Sequence, residues 1–186
     1  MVEHAQVLRA ADALFTRTGR LDMDELARAV AVSRATLYRV VRSRDLLLGE
    51  VLWQKGRATT LWAERTAQGS GADRLVHVAR LFNERVVADE SLRTLLQEDP
   101  ATAFRVLFGP EVRVHVRFVE LWRGVLQREV DAGTLALGLD LDALAYVFVR
   151  VGESIIYADL LGGRQPDLDV AEVVQRALLA AGTPPA

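Results

Sequence analysis

Almost every segment of this chain returns an apolar side chain at every third or fourth position, and no run alternates apolar with polar for long enough to make a strand. That regularity confines the chain to helices packed on helices, so the expected fold class is all-α, with about nine helices. At 186 residues and 51% hydrophobic content the chain can bury a core. With no cysteine it must do so by packing alone, since disulfides, thiolate metal sites and cysteine nucleophiles are excluded. The N-terminal "MVEHAQVLRAADALF" has no apolar run of signal length, and no segment reaches the roughly 18 uninterrupted apolar residues of a membrane span. A cytoplasmic protein that does not enter a membrane is expected.

Punctuation residues divide the periodic pattern. A helix over about 3–18 presents Val7, Ala11, Leu14 and Phe15 on one stripe and stops at Gly19. Asp22 is placed to cap a short helix whose first turn holds Asp24 and Glu25 and whose buried face holds Met23, Leu26 and Val30. Ser33 caps a third helix, about 34–41, and Ser43 a fourth, from about 44 to 67. "QGSG", residues 68–71, is the best breaker in the chain. Beyond it the spacing predicts helices over about 72–88, 91–107 with Pro100 as an internal kink, 110–131, 140–161 and 169–181, with "DAGTLALGLD" a loop and "GTPPA" a frayed tail.

Positive charge gathers in one place. The net charge is -2, yet Arg34, Arg39, Arg42 and Arg44 fall within eleven residues that contain no acid. At about 100° per residue, Leu37 and Val41 share one side of the third helix while Ala35, Tyr38, Arg39 and Arg42 spread over the other. A short capped helix, a tight "AVS" turn and a second capped helix with aliphatics inward make a helix-turn-helix, whose second helix enters the major groove. The chemistry fits DNA: arginine pairs bidentately with phosphate or guanine, and the hydroxyls of Ser33, Thr36 and Tyr38 donate to phosphate oxygens. The small side chain of Ala35 permits close approach to the groove floor or a thymine methyl. Arg44, at the start of the fourth helix, is positioned to hold the backbone on the flank. The competing reading of "RVVRSR" is a solvated basic face on a helical hairpin.

On these residues the chain resembles the TetR family of bacterial transcriptional regulators. The match runs from about Val7 to Val51 and is carried by "AADALFTRTG", by "MDELARAVAVSRATLYRVVRSRDLLL" and by the dipeptide Leu37-Tyr38. The resemblance implies that Ser33, Arg34, Thr36, Tyr38, Arg39 and Arg44 occupy positions that family members use on DNA. Four features depart from the family pattern: Ala31 stands where glycine is usual in the turn, Val41 where an aromatic is common, Arg44 where lysine is usual, and the connection after Gly19 is about two residues short. The C-terminal outline is similar to the QsdR-type regulators, linked to genes for degrading quorum-sensing lactones, which implies an effector resembling a lactone with an acyl or alkyl tail.

The resemblance further implies a DNA-binding domain over 1–48, with its fourth helix continuing to about 67 as a connector, and an effector-binding and dimerisation domain over 70–186. A homodimer through the last two helices and a pocket among the helices expected over about 72–88, 91–107, 110–131 and 140–161 belong to the same expectation. The residues agree in part. Leu144, Phe148, Val151 and Ile155 make one stripe of the 140–161 helix and Val147, Ser154 and Ala158 another, while Val173, Val174 and Leu178 supply the last helix. Tyr146, Arg150, Glu153 and Tyr157 make a third stripe, in which Arg150 and Glu153 pair with each other, with a dimer partner or with an effector. Phe82, Phe118, Trp122, Tyr146 and Arg150 are the candidate effector contacts, against the alternative that the aromatics are plain core.

His4, His77 and His115 lack metal-ligand spacing, and no Gly-rich phosphate loop, nucleophile elbow or acid cluster is present, so no metal, cofactor or catalysis is expected. The expected function is a ligand-responsive repressor that binds a palindromic double-stranded DNA operator and is released by a small amphiphilic effector. The competitors are an all-helical small-molecule-binding protein or enzyme without DNA binding, and a protein-binding module that has lost DNA.

Overall fold

Apolar periodicity becomes ten helices among the described residues, which are 3–158 and 163–180 of a computed structural model. They are α1 (His4–Thr18), α2 (Met23–Ala29), α3 (Arg34–Val41), α4 (Arg44–Thr66), α5 (Gly71–Val87), α6 (Glu90–Glu98), α7 (Pro100–Phe108), α8 (Val114–Asp131), α9 (Leu141–Ile156) and α10 (Leu168–Ala180). Residues 159–161 of the helix expected over 140–161, the end of the last helix at 181 and the "GTPPA" tail lie outside the described residues.

Two expectations about the helices are corrected. The segment about 91–107 is two helices rather than one kinked helix, which raises the count from about nine to ten. Proline has no N–H to donate and disfavours helical backbone in the residue before it. Asp99 accordingly leaves the helix, at φ -139° and ψ 62°, and its side chain accepts from the Thr102 N–H, so one residue ends α6 and caps α7. The helix expected from 110 starts instead at Val114, after Arg113 in the left-handed region at φ 60°.

Two compact units emerge, one of residues 1–55 with 89–115 and the other of 56–88 with 116–186; α4 contributes its beginning to the first and its end to the second. In the first unit, Val7, Ala11, Phe15, Leu26 and Leu37 have no exposed surface. Gly19 ends α1 at φ 66° with its N–H on the Phe15 carbonyl, and a Cβ there would stand 2.4 Å from the Cβ of Thr94, so the missing side chain lets α6 close on the end of α1. In the second unit, Leu75, Val78 and Ala79 of α5, Val125 and Leu126 of α8, and Ala145 and Phe148 of α9 meet in the core. Glu129 on α8 fastens it, accepting from the Gly71 N–H, Arg74 and the Thr134 hydroxyl, each at 2.7 Å.

Candidate nucleic-acid interface and ligand region

The recognition segment forms as its local chemistry dictates. Asp22 accepts from the backbone N–H groups of Asp24 and Glu25, both at 2.8 Å, and these bonds hold its carboxyl below the usual aspartate range. The turn is closed by Ala31 at φ 54° and by the Val32 N–H on the Ala27 carbonyl at 3.0 Å. Ser33 then caps α3, accepting from the Thr36 N–H at 3.2 Å, with the two hydroxyl oxygens 3.0 Å apart. Leu37 and Val41 are buried beneath the helix, at 0% and 4% exposure. Arg42 ends it at φ 68°, its N–H on the Tyr38 carbonyl, and Ser43 caps α4 by accepting from the Leu46 N–H.

Of the residues singled out from the sequence for DNA, Ser33, Arg34, Ala35, Arg39 and Arg42 are exposed, and Thr36, Tyr38 and Arg44 are half-buried. They share one neighbourhood around α3. Arg34 is held from two sides: Nη1 donates to both carboxylate oxygens of Asp24 at 3.0 Å, and the guanidinium lies 5.6 Å from the Tyr38 ring centre. Tyr38 and then Asp24 push the Arg34 guanidinium further above its already high range. Arg39 reaches back to the Thr36 hydroxyl at 3.3 Å. Arg44 donates from Nε to the Leu21 carbonyl at 2.9 Å and lies 3.8 Å from Asp99. Sequence reasoning did not foresee Asp24 as the partner of Arg34, because nothing in a ten-residue spacing across a turn announces a contact.

A cleft of about 550 Å³ opens beside this segment, lined in part by Asp22, Asp24, Arg34, Tyr38, Arg44 and Glu98. Its walls carry arginine–carboxylate pairs, including Arg20 with Glu98, and suit polar rather than apolar contents.

In the second unit the candidate effector residues separate into two groups. The Phe82 ring meets Phe118 edge-on at 5.9 Å and Trp122 at 6.1 Å, and Trp122 lies 5.2 Å from Phe148. Trp122 is buried; Phe82 and Phe118 are half-buried. Tyr146 and Arg150 stand apart from this cluster on the exposed face of α9, and Arg150 donates to Glu153 at 3.0 Å, the intrahelical pairing among the alternatives the sequence left open. Val147 of α9 and Val170, Val173 and Val174 of α10 are also exposed. Among the described residues no cluster of His, Asp and Glu is arranged to hold a metal ion, and no helix is long and apolar enough to cross a membrane.

Residues 70–180 match a family model described as "Tetracyclin repressor-like, C-terminal domain". The structure is similar to that of the R. erythropolis transcriptional repressor QsdR from the TetR family, with a TM-score of 0.88 and 28% identity over 98% of this chain and 97% of that one. It shares its fold with a TetR-family transcriptional regulator from Rhodococcus sp., at TM-score 0.56 and 20% identity over 95% of each chain. It also shares its fold with the regulator FadR from Bacillus subtilis, solved in complex with stearoyl-CoA, at TM-score 0.57 and 15% identity over 97% of this chain and 100% of that one. Curated protein sequences contain no match.

Proposed function

The chain belongs to the TetR family of transcriptional regulators, and from that premise we propose that it is a cytoplasmic homodimeric repressor that binds a palindromic operator and leaves it when a small amphiphile binds the second unit. The observation that carries the DNA reading is the orientation of α3, with Leu37 and Val41 buried beneath it and Arg39, Arg42, Ala35 and the cap Ser33 exposed. Ser33, Thr36, Tyr38, Arg34 and Arg44 would engage phosphates, and Arg39 a base edge.

The proposed division of labour gives DNA to residues 1–48, the connection to α4, and effector and partner to the part of 70–186 that lies in the second unit, since residues 89–115 pack with the N-terminal helices. The exposed apolar residues Val147, Val170, Val173 and Val174 favour a second copy of the chain on α9 and α10. This reading gives Tyr146 and Arg150 to that partner-facing surface and Phe82, Phe118 and Trp122 to the effector. The effector class, a lactone with an alkyl or acyl tail, is the one implied by the resemblance of the sequence to QsdR-type regulators. Release is then a shift between two protomer arrangements, only one of which matches the spacing of operator half-sites.

The test is electrophoretic retardation of the DNA flanking the chain's own gene, titrated in salt. A repressor loses affinity with a log-log slope of roughly -0.9 per phosphate contact, and a matched palindrome outcompetes random duplex by about 10³ or more. Equal competition by random duplex would refute sequence-specific control. A panel of alkyl lactones tests the effector, since a ligand at 100 times its dissociation constant adds about 2.7 kcal/mol to stability.

A further inference from the structure

Four polar side chains of the second unit are buried among the described residues: Thr60, Asn83, Glu129 and Gln175. Two are satisfied from within. The Thr60 hydroxyl donates to the Gly56 carbonyl at 3.0 Å, and Glu129 takes the three donors already described. Gln175 on α10 has one long bond, from Nε2 to the Phe148 carbonyl at 3.5 Å. Asn83 on α5 is 3% exposed and has no hydrogen-bond partner among the described residues. A buried amide with two donors and an acceptor is costly to leave unpaired. Every fully enclosed side-chain nitrogen and oxygen among the described residues has a partner, so the Asn83 amide is not sealed but opens on free space.

Gly152 supplies that space. It sits within α9, where a Cβ would stand 3.5 Å from Gln175 Nε2 and 3.9 Å from Asn83 Oδ1, so its missing side chain leaves room between the two amides. The aromatic cluster lies on neighbouring stretches of α5 and α9 and on α8. Phe82 precedes Asn83 in α5 and meets Phe118 and Trp122, and Phe148 lends its carbonyl to Gln175 while its ring meets Trp122. Asn83 and Gln175 carry no charge, and Arg80, one turn before Asn83 on α5, is already paired with Glu84, Asp169 and Glu172, so a carboxylate placed there would lose its hydration with no unengaged cation in return.

We propose that Asn83, Gln175 and Gly152 form the polar end of the effector site, and that it takes an uncharged carboxamide head whose alkyl chain lies on Phe82, Phe118 and Trp122. A carboxamide presents a carbonyl and an N–H side by side, which matches the acceptor and donor of Asn83 with two hydrogen bonds. The inference rests on the reading of the second unit as the effector-binding region. It is compatible with a lactone joined to its acyl chain through an amide.

The test uses the full chain with octanamide, methyl octanoate and octanoate as probes, measuring binding by calorimetry and the thermal midpoint without probe. Wild type is expected to bind octanamide at least tenfold more tightly than methyl octanoate, which only accepts hydrogen bonds, and more tightly still than octanoate. Asn83→Leu should weaken octanamide at least tenfold while the midpoint of the free protein holds or rises. Gly152→Ala fills the gap at ordinary contact distance and improves helix propensity, so it should raise the midpoint and also weaken octanamide; it carries the test alone if the leucine variant does not fold. Octanamide that fails to bind, binds no better than octanoate, or binds both variants like wild type overturns the proposal. Operator retardation without probe is read separately. Retardation by a protein that ignores octanamide overturns this site alone, whereas octanamide binding through Asn83 by a protein that retards no DNA supports the site and overturns gene control.

Discussion

Arg44, the first residue of α4, donates from Nε to the backbone carbonyl of Leu21 at 2.9 Å and so ties the α1–α2 connection to the start of the long helix. The bond engages one of five N–H donors, and the side chain remains 32% exposed. Arg44→Ala is therefore expected to weaken binding to all DNA sequences alike and to lower the salt slope by about 1. Arg44→Lys keeps the charge but lacks the planar fork, so it should recover only part of the affinity. Retardation at several salt concentrations reads both; a loss confined to one base position would remove Arg44 from the phosphate contacts.

Arg39 and Tyr38 are neighbours in α3 with different expected effects. Arg39→Ala should cost about 1–3 kcal/mol against an operator carrying the matching guanine and relax specificity at that position. Tyr38→Phe removes only a hydroxyl and should weaken binding uniformly. Competition among operators substituted one base pair at a time separates the two, and uniform weakening by Arg39→Ala would reassign it to the backbone.

Ala31 holds the left-handed region at φ 54° in the turn before α3. A side chain there is strained by roughly 1–2 kcal/mol relative to glycine, partly offset by the greater freedom glycine has in the unfolded chain. Ala31→Gly should raise stability by about 1 kcal/mol in chemical denaturation with operator affinity retained. An unchanged or lower midpoint would show that the turn is unstrained.

Burial pushes the Glu129 carboxyl up, but the Thr134 hydroxyl, the Gly71 N–H and Arg74 outweigh it and hold it below the usual glutamate range. A carboxyl lowered on folding contributes stability that is fully present above its unfolded value, about 4.3, and is lost as pH falls through its lower folded value. The thermal midpoint should accordingly fall as the solution is acidified below about pH 5. Glu129→Gln leaves Arg74 without its carboxylate, so it should cost about 3 kcal/mol at neutral pH and flatten the acid limb. A variant whose acid limb matches wild type would show that Glu129 is not the group responsible.

The bounds of α3 were legible in the sequence to the residue because they depend on neighbours three positions away: Ser33 reaches the Thr36 N–H, and Leu37 and Val41 share a face by helical geometry. The same locality exposed Asp22 and Ser43 as caps. The Asp99–Pro100 break was half legible. The proline was visible as a disturbance, but whether the helix bends or divides depends on Asp99 finding the Thr102 N–H and leaving the helix.

Sequence by itself determined that the chain is helical throughout, where the recognition helix starts and stops, and which of its faces carries arginine and tyrosine, because each of these follows from spacing along a single rod. Only the tertiary structure decided that Asp24 clamps Arg34, that Leu21 receives Arg44, that residues 89–115 join the N-terminal helices, and that Asn83 and Gln175 both face the gap at Gly152. Those contacts join residues from ten to 92 positions apart, and no periodicity encodes which distant side chains share a site: that is settled by how whole helices exclude water together.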